Sequence, residues 1–269
     1  MKKSFTLLII MATSILSLSA LNSCSKAEMQ LSGKSNKRIK LMRVEQFWNY
    51  GSEEQSITLD YSFEYDSFGR ISSLCHEKGD VSERITLRRQ SGHDLFTLSE
   101  SSRDGDSCVA SWDVYYFDGH PSISHYRYRN GFWTQQYYYD NQGRLVRLME
   151  GDEEWTFTWN EKSILTVTRP KWSGSGCETE TIRFEYPGNP IKDELGISQY
   201  LMFSDWGVMY EYSLANMFLD VLRSENLPSA IHYDSRTVNL SYAEGSRGEI
   251  ICSSGGRDIH TTTFIVEER

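Results

Sequence analysis

The chain has 269 residues, 39% of them hydrophobic and 13% aromatic with only 5 prolines, a composition that excludes a disordered chain and suits a single large folded domain. Its formal net charge of −9 excludes nucleic acid as a natural partner and disfavours anionic lipid headgroups. Cofactor-binding fingerprints are absent from the sequence, and no apolar run after residue 23 approaches the length of a membrane-spanning helix.

Residues 1–23 open with Lys2 and Lys3, continue through Phe5, Leu7, Leu8, Ile9, Ile10 and Met11, and end in Leu21-Asn22-Ser23-Cys24. Charge followed by a short, Ser/Thr-diluted apolar stretch is the pattern of an export signal rather than of a spanning helix. The Leu-x-Ser-Cys ending resembles the lipobox of bacterial lipoproteins. That resemblance implies cleavage before Cys24, lipidation of its thiol and attachment to a membrane through acyl chains. Ser25 stands where inner-membrane lipoproteins carry aspartate, so the same resemblance favours the outer membrane, with the domain facing the periplasm or the cell surface. Removal of residues 1–23, whose only charges are Lys2 and Lys3, takes the net charge to −11.

Residues 24–38 are polar and basic without apolar periodicity, and read as the lipidated cysteine and a flexible tether. A single β-rich domain is expected over 39–269. From Ile39 to Tyr186 short alternating segments rich in Tyr, Thr, Val, Ile and Trp are separated by turn residues, which predicts successive antiparallel strands joined by hairpins. Asn130-Gly131 and Asn160-Glu161-Lys162-Ser163 mark two of the tight connections.

An internal repeat is the most informative feature. Tyr65-Asp66-Ser67-Phe68-Gly69-Arg70 and Tyr139-Asp140-Asn141-Gln142-Gly143-Arg144 share Tyr-Asp-x-x-Gly-Arg, each with an aromatic residue two positions before the tyrosine (Phe63, Tyr137) and followed by Ile or Leu. Asp66 and Asp140 can accept from backbone N–H groups within the turn. Gly69 and Gly143 can take the left-handed conformation that closes a bulged hairpin. Arg70 and Arg144 can return to the aspartate or lie on a tyrosine face. A degenerate echo stands at Tyr233-Asp234-Ser235-Arg236.

This unit is similar to the tyrosine-aspartate repeats of large secreted bacterial proteins. With the lipobox and the chain length, it resembles more closely a family of lipoproteins of Bacteroides-type bacteria that has a porin-like β fold and no assigned activity. Members tend to carry Asn-x-Pro-Ile before a helical insertion and Asn-Leu-Pro after it. Gly188-Asn189-Pro190-Ile191 and Glu225-Asn226-Leu227-Pro228 stand in those places here. The resemblance implies a mainly β, antiparallel meander of hairpins forming a curved or barrel-like sheet, with a helical insertion around residues 191–224. It carries over no catalytic residue.

Within that insertion Tyr210, Leu214, Met217, Phe218, Val221 and Leu222 follow helical spacing, predicting an amphipathic helix over 208–223 and a shorter one near 192–202. Such a helix is expected to plug or cover the curved sheet. Three or four strands then return after Pro228.

The chemistry-bearing residues are sparse. Apart from Cys24, the cysteines are Cys75, Cys108, Cys177 and Cys252, which in an exported chain can form two disulfides, one, or none. Their wide spacing argues against a zinc site. Gly174-Ser175-Gly176 lacks the glycine spacing of a nucleophile elbow. His120 and His125 fall on opposite faces of a strand. Asp104-Gly105-Asp106 lacks the downstream glutamate of a calcium loop. Asp152-Glu153-Glu154 alternate faces and read as a solvated turn. Tyr126, Tyr128, Phe132, Trp133, Tyr137, Tyr138 and Tyr139 crowd one hairpin, and alternation sends about half outward, where rings can stack on sugars or peptides. The expectation is a non-enzymatic, lipid-anchored envelope module that binds glycan or an envelope protein, without metal or cofactor. A small-ligand or lipid carrier and a carboxylate-dependent hydrolase are the alternatives, and charges such as Arg84, Arg88 and Arg89 speak against a membrane-spanning pore.

Overall fold

The computed structural model describes residues 37–50, 53–78, 81–102, 105–128, 131–161, 163–173, 176–203, 219, 221–255 and 259–268. Residue Cys24, the leader and most of the tether lie outside them, as does most of the helix expected over 208–223.

Twelve strands follow one another as an unbroken antiparallel meander. They are β1 (Lys37–Tyr50), β2 (Glu53–Tyr65), β3 (Ile71–Lys78), β4 (Val81–Gln90), β5 (His93–Ser102), β6 (Gly105–Phe117), β7 (His120–Tyr128), β8 (Gly131–Tyr139), β9 (Leu145–Glu150), β10 (Glu153–Asn160), β11 (Ser163–Ser173) and β12 (Gly176–Glu185). After an insertion containing β13 (Ile191–Lys192), helix α1 (Ile197–Phe203) and β14 (Asn226–Leu227), the meander resumes with β15 (Ala230–His232), β16 (Thr237–Glu244), β17 (Ile250–Gly255) and β18 (Ile259–Glu268). Strand β18 pairs with β1, so the expected curved sheet is a closed ring, with β12 joined directly to β15. Closure leaves the sheet without free lateral edges along most of its height.

The first strand opens at Lys37 rather than at Ile39. Lys37 and Arg38, assigned to the tether on polarity, are paired with Glu268 and Glu267, because the acidic end of β18 neutralises them. The Arg38 guanidinium lies 2.8 Å from Glu267.

The two Tyr-Asp-x-x-Gly-Arg segments fold identically. Asp66 accepts from the backbone N–H groups of Phe68 and Arg70, both at 2.9 Å, and from Arg70 Nε at 2.9 Å. Asp140 accepts from Gln142 N at 2.8 Å, Arg144 N at 3.0 Å and Arg144 Nε at 2.7 Å. Gly69 and Gly143 both take φ 75°, which a Cβ would oppose. Each turn sits beside a register shift, between Glu64 and Tyr65 and between Tyr138 and Tyr139.

A third turn has the same backbone frame with different residues. Gly245 N donates to Glu249 O, Gly248 N donates to Gly245 O, and Gly248 has φ 78°. Glu249, at the arginine's place, reaches back to the N–H of Arg247.

A ring of 16 strands is too wide to be closed by its own inward side chains, and the insertion supplies filling at one end. Its neck is built from the two proline-bounded segments, with Ile191 opposite Leu227 and Lys192 opposite Asn226. Asp193 then caps α1, accepting from Ile197 N at 2.8 Å and Ser198 N at 2.9 Å. Residues 197–202 are buried on every side, as a helix must be when enclosed within a barrel rather than lying on it. Tyr200 meets Phe63 of β2 edge to face, with ring centroids 5.3 Å apart. Helix α1 begins five residues later than the shorter expected helix, because Ile191–Lys192 is spent on the neck ribbon.

The inner face carries the core, including Met42, Phe96, Trp112, Val114, Ile164, Val167, Ile182 and Phe264. The outer face carries charge pairs and hydroxyls: Arg43 with Asp60 at 2.7 Å, Arg84 with Glu64 at 2.9 Å, and Thr158 with Thr166 at 2.6 Å. Each arginine at mid-bilayer would cost about 2–4 kcal/mol, and these charges share the outer face with the exposed side chains of Tyr115, Ile123, Phe132 and Tyr138. Arg89 is on the inner face instead, bonded to Ile71 O and Asp66.

Candidate functional site: a notch in the barrel rim

The connections between odd and even strands place the insertion, both Tyr-Asp turns and the start of β1 at one end of the barrel. At the opposite, far end, one hairpin is shorter than its neighbours. Gln135 is the last residue of β8 opposite β9, yet β8 reaches back to Gly131. Thr168 is the last residue of β11 opposite β10, yet β11 runs on to Ser173 against β12 alone. Continuing the register sets Glu153–Trp155 of β10 beside residues 169–171, so the β9–β10 turn at Gly151-Asp152 leaves a notch between the start of β8 at 131–133 and the end of β11 beyond Lys171. At a strand spacing of ~4.8 Å, its bounding strands are about 14 Å apart.

One wall is aromatic. Trp112 of β6 stacks on Tyr126 of β7 at 4.7 Å, and Tyr126 stacks on Trp133 of β8 at 5.4 Å. All three rings are on the inner face, yet exposure rises from 1% at Trp112 through 8% at Tyr126 to 40% at Trp133. The ladder thus runs from the core out to solvent at the notch. Gly131 seats its outer rung: a Cβ there would overlap the six-membered ring of Trp133. Sequence marks Gly131 as a turn residue, whereas it is the first residue of β8 and its missing side chain makes room for the indole.

Polar groups line the adjoining inner face. Gln135 accepts at Oε1 from Ser124 Oγ at 3.3 Å and Tyr137 OH at 3.0 Å, and donates through Nε2 to Glu150 at 2.7 Å. Glu153 is the cross-strand partner of Glu150, and both share the inner face with Leu148 and Trp155. Burial pushes the Glu150 carboxyl up, the Gln135 bond opposes that, and the charge of Glu153 adds to it. Burial, with Tyr128 and Glu150 beside it, raises the Tyr126 phenol to about 12, which places the carboxylate close to the aromatic ladder.

The other wall is ionic. Glu180 of β12, whose side chain is 5% exposed, receives Arg169 at 3.0 Å and Lys171 at 3.5 Å. Trp112 Nε1 and Trp155 Nε1 are buried donors without a hydrogen-bond partner among the described residues.

The structure distributes the sequence-expected residues differently. Of the aromatic cluster, Tyr126, Trp133 and Tyr137 face inward and form the ladder and its support. Phe132 and Tyr138 face outward, beneath the guanidinium groups of Arg127 and Arg147. Glu153 and Glu154 do alternate, with Glu154 outside near Arg147, but Glu153 is not simply part of a solvated turn. The signal missed was Glu150 across the hairpin. Cys75, Cys108, Cys177 and Cys252 are free thiols, on four strands of which none neighbours another. His120 lies against Tyr139 while His125 bonds Thr134 on the outer face. Among the described residues no three His, Cys, Asp or Glu side chains cluster as metal ligands; Asp104 and Ser175 lie outside them.

The arrangement is concave, at a barrel mouth, and combines flat aromatic faces with converging amide, carboxylate and guanidinium groups, the general form of a small-ligand site. Among solved structures the chain is similar to a porin-like protein from Bacteroides uniformis, with a TM-score of 0.59 over 85% of this chain and 98% of that one, at 14% sequence identity. Likeness at that identity concerns the fold. No protein-family model and no curated protein matches the sequence.

Proposed function

We propose that this protein is a lipid-anchored module of the cell envelope that binds glycan in the rim notch without catalysing a reaction. The observation that carries the reading is Trp133: a large aromatic side chain on the inner face of the barrel, held by Gly131 and Tyr126, and yet open to solvent. Pyranose rings present C–H faces to such a platform and hydroxyls to amides and carboxylates like Gln135 and Glu150.

Anchoring is supported by the leader and the Cys24 motif, and by an outer barrel face whose charge pairs suit water rather than hydrocarbon. From Cys24 to Lys37 an extended chain spans at most about 45 Å. Because β1 enters at the insertion end, a tether from Cys24 joins the barrel at that end, and the notch lies at the opposite one, where a glycan can reach it.

The alternatives have less support. A lipid carrier needs an apolar interior left empty, whereas the insertion end is filled by Tyr200, Leu201, Met202 and Leu222. A glycosidase needs carboxyl groups flanking the scissile bond, whereas Glu150 and Glu153 leave one hairpin side by side and approach a bound sugar from the same side.

The test is a glycan array probed with the full chain purified in detergent, followed by titration of any hit. Trp133→Ala is expected to weaken binding about tenfold or more, and Gly131→Ala to weaken it by displacing the ring. Absence of any glycan hit, or equal affinity after Trp133→Ala, overturns the reading.

A further inference from the structure

Glu150 and Glu153 are directly opposed across the β9–β10 hairpin, a placement that sets Cβ atoms ~4.5–5.5 Å apart and is unfavourable for like charges. Neither has a cation partner among the described residues. The nearest candidates are committed elsewhere: Arg169 and Lys171 to Glu180, and Arg147, on the outer face, to Glu154. Gln135 supplies Glu150 with one neutral donor, which leaves most of the acceptor capacity of the two carboxylates unused.

Two further features converge on that pair. Gln135, which donates to Glu150 at 2.7 Å, stands two residues from Trp133 on the same face of β8, so an aromatic face and a carboxylate border the same space. Trp155 stands two residues from Glu153 on the same face of β10, 3% exposed, with an indole N–H that has no acceptor among the described residues. Donor, acceptors and aromatic face together describe a ligand with a positive charge, an oxygen acceptor and a flat apolar side.

Resting on the glycan reading above, we propose that the notch selects a sugar carrying a free amine, with its ammonium held between Glu150 and Glu153 and its ring lying on Trp133. An ammonium offers three donors to two facing carboxylates, and charge-assisted bonds of this kind are roughly twice as strong as neutral ones. It also removes the repulsion that the empty pair carries.

The pH dependence has a definite sign. The groups facing the pair are Tyr126 and Tyr128 from β7, Gln135 and Tyr137 from β8, Arg169 and Lys171 from β11, and Glu178 and Glu180 from β12. With the two cations held by Glu180, the titration that matters on the acid side is that of Glu150, pushed up by burial and by Glu153. Binding of the amine therefore strengthens as pH rises through the Glu150 range, until the amine itself loses its proton.

The experiment is isothermal titration of the full chain in detergent with three β-1,4-linked oligosaccharides of equal length: glucosamine, N-acetylglucosamine and glucose. The inference expects the glucosamine oligomer to bind about tenfold tighter than the other two, with a preference that shrinks at high salt and below the Glu150 range. Glu153→Gln should erase the preference while the neutral oligomers still bind, and Glu150→Gln should erase it with some loss of neutral binding as well, because Glu150 also receives sugar hydroxyls. Equal binding of all three, or an unchanged preference in both variants, overturns the amine selection and leaves the glycan reading standing. Binding by none of them overturns the amine proposal, and glycan recognition falls with it only if the array is also blank. A simple alkylammonium that binds as tightly as the glucosamine oligomer overturns both.

Discussion

The two ends of the barrel are made by the same strands and are chemically opposite. At the insertion end the inner face is mostly apolar, with Arg89 and its partners the exception, the described part of the insertion packs into the lumen, and the turns are locked by aspartate, glycine and arginine. At the far end the inner face carries Gln135, Glu150, Glu153, Arg169 and Glu180, one hairpin stops short, and an indole is left facing water. Packing and turn bonds concentrate where the chain must hold together, and unfilled polar capacity concentrates where none of the described insertion residues competes for space. Stability and recognition are thereby separated along the barrel axis, and a substitution at one end can be judged by what it spares at the other.

The strongest test of that separation is Leu201→Ala. Leu201 is fully buried in α1 among core residues of the plug, and truncation of such a leucine costs about 2–5 kcal/mol through lost transfer energy and the cavity left behind. The expected outcome is a large drop in the urea midpoint with unchanged glycan affinity at temperatures where the variant is folded. A parallel loss of affinity would show that the plug and the notch are one unit. A smaller effect is expected from Asp140→Ala, which removes the acceptor for two backbone N–H groups and one guanidinium. A cost of about 1.5–3 kcal/mol follows from hydrogen bonds to a charged group, and Asp66→Ala should cost more than Asp140→Ala, because Asp66 also pairs with Arg89 at 3.4 Å.

Sequence legibility follows how local the cause is. The Tyr-Asp-x-x-Gly-Arg turns could be read in full because aspartate, glycine and arginine act on a backbone within five residues. The insertion was legible at its borders, where Pro190 and Pro228 interrupt the strand pattern, while the helix read from the spacing of Tyr210 to Leu222 lies mostly outside the described residues. That Asn-Pro-Ile and Asn-Leu-Pro would pair as a neck was not, because a two-residue ribbon carries no periodicity. The third turn was missed because Gly245 and Glu249 reach the same frame through a different carboxylate. Ring closure depends on β1 meeting β18 across more than 200 residues, and nothing local records it. The notch depends on the length of one hairpin relative to strands on either side. Glu150 and Glu153 illustrate the limit well: acids were weighed along the strand, as Asp152-Glu153-Glu154, while the pairing that matters runs across the turn.

The smallest expected effect is also the one that sets the two ends against each other most directly, through pH. For Asp66 and Asp140 burial pushes the carboxyl up, but the backbone and guanidinium bonds outweigh it and hold each below the ordinary aspartate value. Groups lowered in the folded state stabilise it above the unfolded value, about 3.9, and that contribution is lost as pH falls through the folded value. Glu150 is raised, chiefly by burial, and behaves oppositely: its contribution is full below the unfolded value, about 4.3, and is lost as pH rises through the folded one. Asp193, raised by burial in the cap of α1, adds to the same alkaline-side loss. Glu150→Gln removes the far-end share of that loss, so its urea midpoint should fall less than that of the wild type as pH rises above the ordinary glutamate value, about 4.3, while the acid-side fall due to Asp66 and Asp140 stays in place. Asp140→Asn should do the reverse, softening the acid side alone. If Glu150→Gln leaves the slope above the ordinary glutamate range untouched, the half-buried carboxyl at the notch is not carrying the strain that a bound ammonium would relieve, and the far end is polar without being poised.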